Sequence, residues 1–196
     1  MTNRILSATA AVFLALPTVS VAQDAGAWAG FNIGLQASKG EGYQTYLPDN
    51  GDYDLVGKGF GGFVGYMMTS GAWAYGGELS YARSDYHEIE ENGSSEYPEY
   101  NFNHTLDLKA RVGYAVDRAL VYGVLGYGFS EYEEGSEDPS ELYDIKGAIF
   151  GLGVDYLVSD RVFLGAEILS RDLGRSGDNP FDADLTTVTL RAGMKF

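Results

Sequence analysis

Along most of the chain apolar side chains recur at every second position, the period of an extended strand with two unlike faces. Over Trp28 to Ala37, Phe31, Ile33 and Leu35 are apolar, while Asn32, Gly34 and Gln36 are small or polar. Over Phe102 to Val116 the contrast is nearly complete. Phe102, His104, Leu106, Leu108, Ala110, Val112 and Tyr114 share one face, and Asn103, Thr105, Asp107, Lys109, Arg111 and Gly113 share the other. Trp73 to Ser84 sets Trp73, Tyr75, Leu79 and Tyr81 against Ala74, Gly76, Glu78 and Ser80. Leu185 to Phe196 sets Val188, Leu190, Ala192, Met194 and Phe196 against Thr189, Arg191, Gly193 and Lys195.

Gly57 to Thr69, Leu120 to Glu131, Tyr143 to Val158 and Val162 to Arg171 complete a set of eight strands with looser alternation. Phe63, Met67 and Ile149 fall on the small-residue face, and a bulge is able to shift the phase of such a strand. In Leu120 to Glu131 two assignments stand open: Val121, Leu125, Tyr127 and Phe129 face outward, or Leu120, Tyr122 and Val124 do. The connections alternate as well. Thr69 to Ala72, Asp117-Arg118 and Ser159-Asp160 are short, whereas 38–56, 85–101, 132–142 and 172–184 are long and polar.

A soluble sandwich would turn the apolar face to a core and the polar face to water. Ionisable residues placed mid-strand among glycines argue against it, as does the strict long-short order of the connections. The N-terminus adds a third reason. Arg4, the apolar run Ala10 to Leu16, Pro17 and the small-residue pattern Ser20-Val21-Ala22 predict a signal peptide over 1–22, cleaved before Gln23. That run is shorter than the roughly 20 residues a membrane-spanning helix needs. No cysteine follows it, so a lipid-anchored N-terminus is not expected. These features together predict that 23–196 form an all-β domain, an eight-stranded antiparallel up-and-down transmembrane β-barrel with apolar exterior, polar lumen, short periplasmic turns and long outer loops.

Aromatic placement fits a barrel in lipid. Trp28, Tyr66, Trp73, Tyr75, Tyr114 and Tyr156 fall at strand ends beside the short turns or the N-terminus, where a periplasmic girdle is expected, and Tyr81, Phe102, Phe129 and Tyr143 lie at the opposite ends. Glu78, Asp107, Lys109, Arg111, Asp155, Glu167 and Arg191 point inward. Four acids then meet three bases in a lumen that eight strands leave just wide enough for side chains. The expectation is a plug of salt bridges; the functional alternative is an ion or proton path.

Several stretches resemble a known family: Gly61-Gly62-Phe63-Val64-Gly65-Tyr66, Gly76-Gly77-Glu78-Leu79-Ser80-Tyr81, Lys109-Ala110-Arg111-Val112-Gly113-Tyr114 before Asp117-Arg118, Gly151-Leu152-Gly153-Val154-Asp155-Tyr156 and Arg191-Ala192-Gly193-Met194-Lys195-Phe196. In order and spacing they resemble the alphaproteobacterial outer-membrane immunogenic and opacity-like eight-stranded barrels, which are similar to the membrane domain of OmpA. Asp155 stands where a glutamate is expected, and Ile168-Leu169 after Glu167 replace an expected aromatic. The resemblance implies a porin-family surface antigen in the outer membrane of a Gram-negative bacterium, in contact with lipid and lipopolysaccharide, with adhesion or host contact as its role. It further implies that Phe196, closing an alternating strand, is read by the outer-membrane assembly machinery. The periplasmic peptidoglycan-binding domain of full-length OmpA-like proteins is expected to be missing.

Charge and composition narrow the chemistry. The 196 residues carry a formal net charge of -15, which disfavours nucleic acid as a partner. The four long segments hold -3, -6, -7 and -2 over 38–56, 85–101, 131–144 and 171–184, so the surplus sits at the outer face. Clustered acids such as Glu131, Glu133, Glu134, Glu137 and Asp138 are expected to keep these loops solvated; the alternative is weak association of divalent cations, through oxygens and without a dedicated cage. Without cysteine there is no thiolate site or nucleophile. Lipid A deacylases of similar architecture place a serine two positions from a histidine, but Leu106 follows His104 at that distance, and His87 lies beside Glu88 in an acidic segment. The glycines of 59–65 precede no Lys-Ser or Lys-Thr pair, and packing explains them better than phosphate binding. No cofactor is expected. The sequence thus points to a non-enzymatic surface barrel, with a small pore and an acyl-modifying enzyme as alternatives.

Overall fold

A computed structural model describes residues 25–46, 51–89, 96–134, 141–174 and 181–196. The predicted signal peptide lies outside these residues. A single-turn 3-10 helix, Ala25–Trp28, precedes eight strands: β1 Gly30–Tyr46, β2 Gly51–Ser70, β3 Trp73–Ile89, β4 Glu96–Val116, β5 Ala119–Glu134, β6 Glu141–Leu157, β7 Val162–Gly174 and β8 Phe181–Lys195. Each pairs antiparallel with its sequence neighbours, and β8 returns to β1, closing the barrel. The tight turns at one end use left-handed backbone at Gly71 (φ 58°) and Asp117 (φ 53°), residue types that tolerate it.

Alternation decides the two faces. Phe31, Ile33 and Leu35 on β1, Leu106, Leu108 and Val112 on β4, and Val188, Leu190 and Met194 on β8 are exposed, as a wall facing hydrocarbon requires. The phase left open on β5 is settled: Val121, Leu125, Tyr127 and Phe129 face outward, and Leu120, Tyr122 and Val124 are buried. Along β1, β2 and β3 the apolar exterior ends at Ala37, Phe60 and Tyr81, and the next outward residues are Lys39, Lys58 and Arg83. The strands run on past that line. β1 to β4 have 17, 20, 17 and 21 residues, well beyond the 9 to 11 or so that cross a bilayer. Much of what reads as long polar loop in the sequence is therefore barrel wall extended beyond the membrane, a polarity pattern that water-facing hairpins share with loops.

The structure corrects two placements. Trp28 is not in the lipid-facing girdle: it is buried in the 3-10 turn and packs edge-on to Phe163 at 6.0 Å, closing the periplasmic end of the lumen. Ala25 N–H anchors that turn by donating to Gly71 O at 2.8 Å. Phe102 is buried too, because β4 slips register between Phe102 and His104, and the extra residue turns Phe102 to the opposite face from Leu106 and Leu108. Tyr66, Trp73, Tyr75, Tyr114 and Tyr156 are exposed at the short-turn end, and Tyr81 and Phe129 toward the other. The Tyr143 side chain lies outside the described residues.

Candidate functional site

The lumen is filled in layers. At the periplasmic end Trp28, Phe63, Met67, Leu120 and Phe163 form part of an apolar cluster, and beyond the membrane Leu55, Tyr86, Phe102, Ile145, Leu173 and Leu185 belong to a second. Charged side chains occupy the space between. Glu78 is the hub: its carboxylate meets Lys109 at 2.8 Å, Arg111 at 3.0 Å and Arg191 at 2.5 Å. Glu167 takes Lys109 at 2.8 Å and Arg191 at 3.1 Å, and Asp155 takes Arg111 at 2.5 Å and Arg191 at 3.5 Å. Three acids and three bases from β3, β4, β6, β7 and β8 thus close a neutral ring, every member buried.

Aromatic rings carry the remaining faces of the guanidinium groups. Arg111 lies over Tyr122 at 3.7 Å and Arg191 over Phe63 at 4.1 Å, and the Tyr122 hydroxyl donates to Asp155 at 3.3 Å. These contacts suit cations in a confined space, where a ring face supplies electron density that water would otherwise supply.

Asp107 does not join this ring. It forms a separate pair with Arg171 at 2.7 Å, accepts from Ser80 at 3.4 Å, and Arg171 donates to Thr187 at 2.6 Å. Arg171 is the member missing from the sequence-predicted set, and it balances the fourth acid. The reason it escapes notice is visible in the register. Glu78, Asp107, Lys109, Arg111, Asp155, Glu167 and Arg191 stand directly opposite Gly65, Gly128, Gly126, Gly76, Gly165, Gly153 and Gly165 respectively. Arg171 stands opposite Ile149 and Leu185, so no glycine advertises it. The glycines leave volume for long side chains: a Cβ at Gly165 would collide with the Asp155 carboxylate.

Beside the ring, on the side of Trp28 and Phe163, there is little room for solutes. A cavity bounded by Trp28, Asn32, Met67, Arg111, Asp155 and Phe163 measures about 10 Å³, space for one water. Among the described residues no group of three or more His, Asp or Glu side chains is arranged to hold a metal. His104 is half-exposed on the outer wall, 3.8 Å from Glu131 and stacked near Tyr81 at 5.9 Å. His87 Nδ1 lies 2.8 Å from Asp85 O. Of the acidic cluster, Glu131 to Glu134 belong to β5, and 135–140 lie outside the described residues. Phe196 is exposed on the outer wall, its N–H donating to Phe31 O at 2.8 Å across the β1–β8 seam.

Known proteins share this architecture. A family model described as outer membrane protein beta-barrel domain matches residues 9–196. A 22 kDa outer membrane protein of Rhizobium leguminosarum bv. viciae is 28% identical over 183 residues, spanning 88% of this chain and 80% of its own length. The crystal structure of Neisserial surface protein A is similar at a TM-score of 0.55 and 15% identity, covering 86% of this chain and 98% of that one. Outer membrane protein OprG of Pseudomonas aeruginosa is similar at 0.51 and 16%, covering 86% and 96%. These last two likenesses are of fold.

Proposed function

The chain belongs to the outer membrane protein beta-barrel family, its location is the outer membrane of a Gram-negative bacterium, and from that premise we propose that it is a non-enzymatic surface barrel that supports envelope integrity and makes surface contacts through its acidic outer segments. The carrying observation is the layered lumen, in which apolar clusters lie below and above a neutral ring of buried ion pairs. An ion path needs continuous water, and the 10 Å³ cavity beside Arg111 supplies no such column. What this interior provides is rigidity. The outer segments then provide the contact, their surplus carboxylates recruiting weakly held divalent cations and, through them, neighbouring anionic groups or host surfaces.

Planar-bilayer recording of the refolded protein tests the closed lumen: the expected result is an absence of discrete conductance steps, and regular steps would replace this proposal with a small pore. A deletion strain should show greater detergent sensitivity and vesiculation and weaker surface attachment. Lipid A of unchanged mass in strains with and without the protein is expected, and an acyl difference would establish an enzyme instead. A cleaved leader over 1–22 and recognition of Phe196 by the assembly machinery belong to the same proposal. Deleting Phe196 should cause periplasmic accumulation and degradation, read by fractionation; normal surface levels would remove that role.

A further inference from the structure

The outer wall is not uniform around its circumference. At the line where the apolar exterior ends, β1, β2 and β3 present Lys39, Lys58 and Arg83, all exposed. Lys39 and Lys58 stand directly opposite each other in register, an arrangement of like charges that costs stability in a strand pair. Arg83 lies one diagonal step away, opposite Phe60. Among the described residues none of the three side chains makes an ion pair. The nearest acid on the same face, Asp85, lies within the group: it accepts the backbone N–H of Lys58 at 2.6 Å and lines the same cleft as Lys58 and Arg83. Glu41 lies two residues farther from the membrane on β1. Three cations and one carboxylate are thus grouped where the apolar exterior ends, with a surplus of positive charge.

Directly below them the wall carries a shallow, open depression. A groove of about 640 Å³ runs over Leu35, Gly62, Val64, Leu79, Tyr81 and Leu106, and polar lining is almost absent. Its floor is set by Gly62, which faces outward where its neighbours on β2, Phe60 and Val64, carry large side chains. A Cβ there would come within 3.0 Å of Gly34 O, a tight approach to backbone, with the Leu35 side chain next at 3.9 Å. A second open cleft of about 440 Å³ lies farther out along the same strands, lined by Ala37, Ser38, Lys58, Phe60, Arg83 and Asp85.

We propose that this face of β1–β3 is a binding site for the lipid A portion of lipopolysaccharide, with one acyl chain lying in the groove over Gly62 and a phosphate held by Lys39, Lys58 and Arg83. Apolar groove and cation cluster match the two ends of one molecule, a phosphorylated acylated glycolipid. Their order, apolar below and basic above, matches its orientation in the outer leaflet. Charge complementarity also explains the opposed lysines, which a bound phosphate converts from a repulsive pair into a shared clamp. The inference rests on the outer-membrane location and not on the contact role of the outer segments.

The test uses the refolded full chain in detergent micelles with a chelator present, so that divalent cations do not bridge phosphates to acids. Bound lipid is counted by native mass spectrometry during titration with bis-phosphorylated lipid A, dephosphorylated lipid A and phosphatidylglycerol. The expected order is lipid A bound tightest, with the other two weaker by about tenfold or more. The Lys39→Ala, Lys58→Ala, Arg83→Ala triple variant should lose that preference, and Lys146→Ala on β6 should retain it. Gly62→Leu, which fills the groove and leaves the cations intact, should weaken lipid A binding. Heat-modifiable gel migration identifies the folded fraction of each variant. Equal binding of phosphatidylglycerol, or an unaltered preference in the folded triple variant, overturns the proposal; unaltered binding by folded Gly62→Leu overturns the groove as the acyl site. Because binding is read on purified protein, these outcomes are independent of conductance or attachment.

Discussion

Inside the barrel, Glu78, Asp107, Asp155 and Glu167 are answered by Lys109, Arg111, Arg171 and Arg191, whereas on the outer wall Lys39 faces Lys58 and Asp172 faces Asp184 in register. The same residue types obey opposite rules because their surroundings differ. In the lumen an uncompensated charge would carry a desolvation cost of several kcal/mol, so composition is forced toward neutrality. At the rim the high dielectric of water weakens close pairs and mobile ions screen those more than about 8 Å apart, so like charges adjoin at small cost. Matched charge therefore marks where the protein serves its own stability. Unmatched charge marks where it is open to something else.

The contrast is broken most severely at the hub. Glu78→Ala leaves three bases sharing two carboxylates and should cost about 3–5 kcal/mol in urea unfolding of the protein refolded into vesicles. A loss under about 1 kcal/mol would mean that the lumen tolerates unpaired charge as the rim does. Asp107→Asn and Arg171→Met should each cost about 2 kcal/mol, and the double variant less than their sum, because it removes both charges of an isolated pair. Strict additivity would show that the two do not interact. Tyr122→Phe removes one hydrogen bond from Asp155 and keeps the ring under Arg111, an expected loss of about 1 kcal/mol. At the rim, Lys58→Glu turns a repulsive pair into an attractive one and should raise stability by only a few tenths of a kcal/mol. The same variant should lose lipid A, so that stability and binding move in opposite directions.

What the sequence reveals follows from how local each signal is. Strand count, closure and most facings are legible because a two-residue period is written into each strand separately. A single extra residue, as at Asn103, defeats that logic, since the phase beyond it depends on pairing with β5 and not on composition. The ion pairs are legible where glycine and charge alternate on one face. Arg171 is hidden because no glycine stands opposite it and its anion comes from β4, far away in sequence. Trp28 reads as a girdle residue because its neighbours do; only the turn anchored to Gly71 swings it inward. The rim cations were equally invisible as a group, since Lys39, Lys58 and Arg83 meet only once three strands are in register.

The seam between β1 and β8 sets the order of events in folding. Seven of the eight pairings join consecutive strands and form as hairpins, with modest loop-closure entropy. The eighth, from Asn32↔Lys195 to Tyr46↔Phe181, joins the two ends of the chain and has no local precursor. Until it forms, the backbone groups on both edges remain open, a state that hydrocarbon does not tolerate and that invites pairing with other chains. Closure and burial in lipid are therefore coupled, and the β1–β8 seam is the pairing that links them. A chain with that seam unpaired presents two open edges to lipid and to other copies at once.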